Sequence, residues 1–326
     1  MQLTREHIVW AYRLFLGREP ESEEIIHEKL AGLRSVADLR RDMVCSSEFR
    51  AGVARTAAFD ATNVVIKEIG NGLRLFVDLA DSHIGGNVLN GTYEPDEQEF
   101  VRSTLNDDAN VIDVGANIGV FTILMASRVG REGHVYAFEP LPRNAALAER
   151  SIAENKFESR VTLSRAAVGN RPGQIELISP ITTNNWGGPY LRTPGTQVPR
   201  DHETTTVPMV TLDGLQLRRP ISFIKLDAEG AEALVLRGAQ TLLREDRPWV
   251  LAEIHPQQLG KVSACSPDDL ISEMSSYGYS CAQLLPGTPP QLSERLDRYD
   301  NDRVINAVFV PEHDKPAPRR RLWFTR

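Results

Sequence analysis

Two short stretches concentrate side chains able to do chemistry. Lys225-Leu226-Asp227-Ala228-Glu229 puts a cation and two acids within five residues, and Glu253-Ile254-His255 adds a further acid and an imidazole. If each stretch ends a strand, alternate residues share a face, so Lys225 and Asp227 point together. Strands consecutive in the chain tend to be neighbours in space, so Asp227, Glu229, Glu253 and His255 can converge. Two uses follow. In one, Asp227 or His255 is a general base that takes a proton from a weak nucleophile such as an aliphatic hydroxyl. In the other, carboxylates hold Mg²⁺, with Asp227 and Glu253 as its ligands, and the ion lowers the pKa of the nucleophile. Hard oxygen donors suit that ion, but the spacing diagnoses no metal, and the metal-free base is preferred. The plainer alternative is that Lys225 and Asp227 form an ion pair supporting the strand end, with His255 merely preceding Pro256.

A third stretch reads as a ligand loop. Val111-Ile112-Asp113-Val114-Gly115-Ala116-Asn117-Ile118-Gly119 runs from an apolar strand through two glycines into a helix. Glycine lets a backbone approach a ligand closely, and open α/β sheets bind ligands beyond the carboxyl ends of their strands. A phosphate-cradling loop needs Gly-x-x-x-x-Gly-Lys followed by Ser or Thr, which is missing. A dinucleotide loop needs Gly-x-Gly-x-x-Gly, also missing here, and Asp113 would repel a pyrophosphate. S-adenosylmethionine has the opposite need, because its ammonium and sulfonium are drawn to carboxylates. Glu139, in Phe138-Glu139-Pro140, lies 24 residues after Gly115, close to the spacing of an acid that grips ribose hydroxyls.

These groups need a scaffold that gathers strand ends. Strands are expected over Asn110–Val114, His134–Phe138, Arg160–Val168, Phe223–Leu226 and Trp249–Ile254. Helices intervene over Val120–Ser127, Pro142–Asn155 and Glu232–Leu243. Ser266-Pro267-Asp268-Asp269 opens another helix, before strands over Ser280–Leu285 and Val304–Val310. Ile175–Ile178 and Val207–Thr211 can pair as extra strands. This alternation predicts an α/β domain with a mainly parallel sheet covered on both faces. Ahead of it, Val64–Ile66 and Leu73–Val77 read as a hairpin around Gly70-Asn71-Gly72, Asn90–Pro95 as a loop, and Glu97–Leu105 as a helix. The first fifty residues are helical instead. Ile8, Tyr12, Leu14, Phe15 and Leu16 share a face, Pro20 can open a second helix, and Ser35 can cap a third through Leu39. The chain is therefore divided into a helical accessory module over 1–60, the α/β domain over 61–314 and a solvated Pro- and Arg-rich tail over 315–326.

Other features narrow the class. The net charge of −7 argues against nucleic acid as the main partner. No apolar run is long enough for a membrane span, and Met1–Trp10 lacks the pattern of a signal peptide. Cys45, Cys265 and Cys281 are odd in number and scattered, which fits a reducing, cytoplasmic compartment. The expected partner is a small-molecule or glycan acceptor, with a homo-oligomer left open. Asn184-Asn185-Trp186-Gly187-Gly188 is a polar loop with one large aromatic. An acceptor sugar can stack on Trp186 and bond Asn184, or Trp186 can simply anchor the loop. The remaining histidines show no ligand spacing, although His83 lies ahead of Tyr93.

Asn90–Pro95, Val111–Thr122, Phe138–Pro140, Phe223–Glu232, Val235–Ala239 and Leu251–Ile254, in that order, resemble the FkbM family of S-adenosylmethionine-dependent methyltransferases over roughly residues 63 to 312. The resemblance implies a Rossmann-like class I methyltransferase fold, a mainly parallel seven-stranded sheet whose last strand runs antiparallel. It implies methyl transfer, usually to a hydroxyl oxygen of a sugar, polyketide or other natural product. It also implies that Asp113, Gly115, Asn117 and Gly119 surround the methionine part of the cofactor, Glu139 the ribose and Ala167 the adenine, while Tyr93 and Glu94 close the site. Transfer to nitrogen or carbon, and a non-catalytic module that binds cofactor or glycan, are the rival readings. Tyr12–Pro20 with Ser47-Glu48-Phe49 resembles a helical module found beside carbohydrate-active transferases and in phycobilisome linkers, which implies a binding or assembly role.

Overall fold

The computed structural model describes residues 3–16, 18–48, 63–81, 83–181, 188–193, 195–287, 289–293 and 303–312. Asn184, Trp186 and the tail 315–326 lie outside the described residues. The chain divides into two compact units, one built from Met1–Lys67 with Val77–Tyr93, the other from Glu68–Phe76, Glu94–Thr182 and Gly188–Arg326.

The first unit begins with α1 (Arg5–Ala11), whose N-terminal amides are closed by a capping box between Thr4 and His7. A π-helical turn over Tyr12–Leu16 extends it. Next come α2 (Glu23–Gly32) and α3 (Val36–Cys45), capped by the hydroxyls of Ser22 and Ser35. Ser22, not Pro20, sets the start of α2, because its side chain accepts the Ile25 amide that would otherwise lack a partner. Ile8, Ala11, Tyr12, Ile26, Leu39 and Met43 form the buried core of these helices. The hairpin strands β1 (Val64–Glu68) and β2 (Arg74–Asp78) make a separate two-stranded sheet. Gly70, Asn71 and Gly72 all turn through positive φ between them. A short helix, α4 (Ile84–Asn90), occupies a segment that carries no helical pattern. Asp81 starts it by accepting the amides of His83 and Ile84, and Gly85 is required because a Cβ there would stand 2.6 Å from the Asp78 carbonyl oxygen.

The second unit starts with α5 (Pro95–Thr104), where Pro95 takes the first helical position. Alternation follows through β3 (Asn110–Val114), α6 (Val120–Arg128), β4 (His134–Phe138), α7 (Pro142–Glu154) and β5 (Val161–Ser164). The strands β6 (Ala167–Val168), β7 (Gly173–Pro180), β8 (Tyr190–Leu191) and β9 (His202–Val210) form a second sheet in the order β6-β9-β7-β8. The main sheet resumes with β10 (Ile221–Leu226), α8 (Glu232–Arg237), α9 (Gln240–Glu245) and β11 (Trp249–Ile254). It ends with α10 (Pro256–Ser263), α11 (Pro267–Ser276), β12 (Tyr279–Leu285), β13 (Gln291–Ser293) and β14 (Ile305–Pro311). The main sheet has eight strands in the order β13-β12-β14-β11-β10-β3-β4-β5 among the described residues. β11, β10, β3, β4 and β5 run parallel, β14 runs antiparallel to β11 and β12, and β13 is an additional antiparallel edge strand. The sheet is therefore mixed, one strand wider than seven.

Two expected elements are divided. The stretch Arg160–Val168 breaks at Arg165-Ala166, where the chain leaves the main sheet and Ala167 pairs with Met209 instead. The helix after Glu232 breaks at Gly238, where the chain passes so close to the Gly169 carbonyl oxygen that a Cβ would stand 2.0 Å from it. In chain order the parallel strands run β3, β4, β5, β10 and β11, yet β3 lies between β4 and β10, so the strand order reverses at β3. That is where an open α/β sheet leaves a crevice. Phe100 of α5 is fully buried against Phe223 of β10 and Trp249 of β11, at ring-centroid distances of 6.4 and 6.3 Å. This packing fixes the start of α5, and Glu94 with it. Truncating such a ring to alanine costs about 3–5 kcal/mol.

Candidate active site

Three strand ends meet at the crevice. Lys225 lies in register with Asp113 on one side and Leu251 on the other, and Leu226 with Val114 and Ala252. One residue further on come Gly115, Asp227 and Glu253. The Asp227 amide donates to the Val114 carbonyl at 3.0 Å. Gly115 has φ +80°, and a Cβ on it would lie 1.8 Å from the Asp227 carbonyl oxygen, so only glycine fits. The ligand loop and the acidic stretch are thus packed backbone to backbone.

The loop itself is tied down by hydrogen bonds. The amides of Gly115 and Ala116 both donate to the Phe138 carbonyl, at 3.0 and 2.9 Å. Asn117 sits at φ +51°, its side-chain oxygen accepting the Ile118 amide at 2.8 Å. Gly119, at φ +95°, opens α6. Glu139 is buried, and its two carboxylate oxygens accept the amides of Asn117 (2.9 Å) and Leu141 (2.8 Å). Burial outweighs these donors and pushes its pKa up to about 7. Asp113 is buried as well, and one oxygen accepts the Thr122 hydroxyl at 2.5 Å while the other has no hydrogen-bond partner. Burial raises its pKa to about 6.

The acidic stretch is arranged differently. Lys225 is 3% exposed, its ammonium 3.1 Å from Asp227, 3.8 Å from Glu94 and 4.9 Å from the Phe121 ring centre. Burial pulls its pKa down, but Asp227, Glu94, Glu253 and Asp113 together outweigh burial and leave it raised. Carboxylate oxygens of Glu94, Asp227 and Glu253 all lie within 4.8 Å of one another, a spacing that could hold a cation. Glu253 is pushed up to about 9, first by the charge of Asp227 and then by burial. Glu229 is half-buried, at φ +50°, and is pushed up to about 8 by burial and by Asp227 and Glu232.

Neither Glu229 nor His255 joins the close trio. His255 is the N-cap of α10, where its Nδ1 accepts the Gln258 amide at 3.4 Å. Glu94, expected beside the cofactor, faces Lys225 and is the third member of the trio. Tyr93 belongs to the first unit, and His83 precedes α4 in that same unit. Ala167 is buried in β6. Two further buried acids are not assigned a role from the sequence. Glu97 accepts a hydrogen bond from Asn306, the residue paired with Glu253 across β14. Glu232 accepts the amides of Ala228 and Gly230.

A family model described as the methyltransferase FkbM domain matches residues 113–281, over half of the chain and including both the loop and the acidic stretch. Among curated proteins, "Methyltransferase 1" of Beauveria bassiana is 26% identical over 164 residues, covering 45% of this chain and 63% of its own length. "AMB antimetabolite synthetase AmbE" of Pseudomonas aeruginosa is 28% identical over 279 residues, covering 68% of this chain and 13% of its own length. The chain thus spans less than two thirds of either relative. Among solved structures, a "Methyltransferase FkbM" from Methylobacillus flagellatus KT is 18% identical, with a TM-score of 0.41 over 89% of this chain and 65% of that one. No described helix is long and apolar enough to cross a membrane.

Proposed function

The chain belongs to the methyltransferase FkbM domain family, and from that premise we propose an S-adenosylmethionine-dependent O-methyltransferase acting on a hydroxyl of a sugar or other natural product. The observation that carries this reading is the contact of Gly115 with the Asp227 carbonyl, which sets a ligand loop directly beside a carboxylate able to take a proton. The residues present fit the cofactor. Asp113 offers a buried oxygen without a hydrogen-bond partner, and Glu139 adds a second buried carboxylate beside the glycine bends. Such a donor set suits an ammonium and a sulfonium and would repel a pyrophosphate. In this reading Asp113, Gly115, Asn117 and Gly119 hold the methionine part, Glu139 the ribose and Ala167 the adenine edge, with Glu94 near the entrance. When bound, S-adenosylmethionine supplies a methyl group already activated for in-line displacement.

An acceptor hydroxyl then needs alignment, exclusion of water and removal of its proton. Asp227 is the base: its side chain is partly exposed and is oriented by Lys225. His255 is less suited, because its Nδ1 is committed to the cap of α10. The trio Glu94, Asp227 and Glu253 is a poor dedicated Mg²⁺ site, because the Lys225 ammonium already stands within ion-pair distance of two of its members. No step is assigned to a metal. The relative named as an antimetabolite synthetase fits an acceptor of the natural-product class, and a glycan contact through Asn184 and Trp186 would agree with a sugar. The helical segment 1–60 is taken as an accessory module for binding or assembly, ahead of the methyltransferase domain over 61–314.

The test is transfer of a tritiated methyl group from S-adenosylmethionine to a panel of hydroxylated glycans and natural products. Label in an ether linkage supports the reading. Label in an amine or on carbon, with hydroxyl acceptors unlabelled, sinks the O-methyl assignment.

A further inference from the structure

Asp227 and Gly115 meet through a turn that needs an external brace. Glu229 and Gly230 are both left-handed, at φ +50° and +92°. A non-glycine residue in that region is strained and persists only where its surroundings hold it. Three contacts do so. The buried Glu232 side chain reaches back and accepts the amides of Ala228 (3.0 Å) and Gly230 (3.1 Å) with one oxygen. The Ser263 hydroxyl donates to the Gly230 carbonyl at 2.5 Å. Gly230 itself lies so close to α10 that a Cβ would stand 2.3 Å from the Gln258 carbonyl oxygen. The other oxygen of Glu232 is buried without a hydrogen-bond partner, so this carboxyl is kept at a cost.

We propose that Glu232 is a positioning residue: by holding the 228–230 turn it sets the Asp227 carbonyl against Gly115, and so fixes the ligand loop and the base relative to each other. The inference rests on the cofactor reading above. It assigns no contact with substrate or cofactor to Glu232 itself. Glutamine can play the same part, since its side-chain oxygen has two lone pairs for the two amides. Alanine leaves both amides buried and unpaired.

The experiment compares wild type, Glu232→Gln, Glu232→Ala and Ser263→Ala by amide hydrogen exchange across the turn and by calorimetric titration of S-adenosylhomocysteine. Losing the buried acceptor should speed exchange of the 228 and 230 amides about tenfold or more in Glu232→Ala and weaken ligand binding by a similar factor. Glu232→Gln should keep both within about threefold of wild type, and Ser263→Ala should show the alanine pattern on a smaller scale. Unchanged exchange in the folded Glu232→Ala protein overturns the brace. Faster exchange with unchanged affinity overturns the positioning role. If Glu232→Ala does not fold, Glu232→Gln and Ser263→Ala decide: Gln as damaging as the loss of Ser263, or worse, contradicts the inference. If wild type binds no S-adenosylhomocysteine, the cofactor reading fails while the exchange data still judge the brace.

Discussion

At the end of β3 and β4 the buried carboxylates meet hydrogen-bond donors: Glu139 takes two backbone amides and Asp113 a hydroxyl. At the ends of β10 and β11 the carboxylates meet chiefly one another and Lys225. Fixed dipoles hold the first region in one shape, as a receptacle for a ligand requires. In the second region the charge of Asp227 and burial push Glu253 up, and burial with the charges of Asp227 and Glu232 pushes Glu229 up, so these two glutamates hold protons near neutrality. The two regions share one joint, where Gly115 touches Asp227.

Breaking the joint should break both regions at once. Gly115→Ala forces a Cβ into the Asp227 carbonyl at positive φ. We expect no calorimetric binding of S-adenosylhomocysteine and a loss of about 4 kcal/mol or more in urea unfolding. Asp227→Asn should separate the regions: turnover falls about 10²- to 10⁴-fold, the range for a general base, while S-adenosylhomocysteine affinity is largely kept. Steady-state kinetics beside calorimetry tests this, and undiminished turnover removes Asp227 from the chemistry. Lys225→Met takes the cation out of the second region and leaves its carboxylates facing one another, a loss of about 3 kcal/mol on the scale of broken buried pairs.

The first region should show itself through pH. Glu139 and Asp113 bind protons more tightly folded than unfolded, with pKa values raised to about 7 and 6. Their stabilising contribution is complete below the ordinary carboxylate range and declines as pH rises through about 4 to 7. Glu139→Gln should make that decline shallower by about 1–3 kcal/mol across the window, read from urea midpoints at successive pH values. The smallest effect sharpens the contrast further: EDTA should leave turnover unchanged, because Lys225 supplies the charge a metal would bring.

Much of the first region was legible in the sequence. Two glycines between an apolar strand and an apolar helix, with an acid ending the next strand, leave a local signature because positive φ and strand ends are local properties. Lys225 and Asp227 were legible as partners for the same reason, being two residues apart on one strand. Glu94 was not legible as their neighbour, since its position follows from Phe100 packing on Phe223 and Trp249. Glu232 and Glu97 were hidden because burial, not residue type, makes them consequential. α4 was hidden by Gly85 and Gly86, which weaken any helical pattern. The breaks at Arg165-Ala166 and Gly238 reflect contacts with Met209 and Gly169 that are distant in sequence.

The most direct test of a receptacle beside a base is a calorimetric titration of S-adenosylhomocysteine into wild type, Glu139→Ala and Asp227→Asn. The account predicts saturable one-site binding to wild type, about tenfold or more weaker binding to Glu139→Ala, and binding within about threefold of wild type for Asp227→Asn. No binding by wild type, or equal binding by Glu139→Ala, would contradict it.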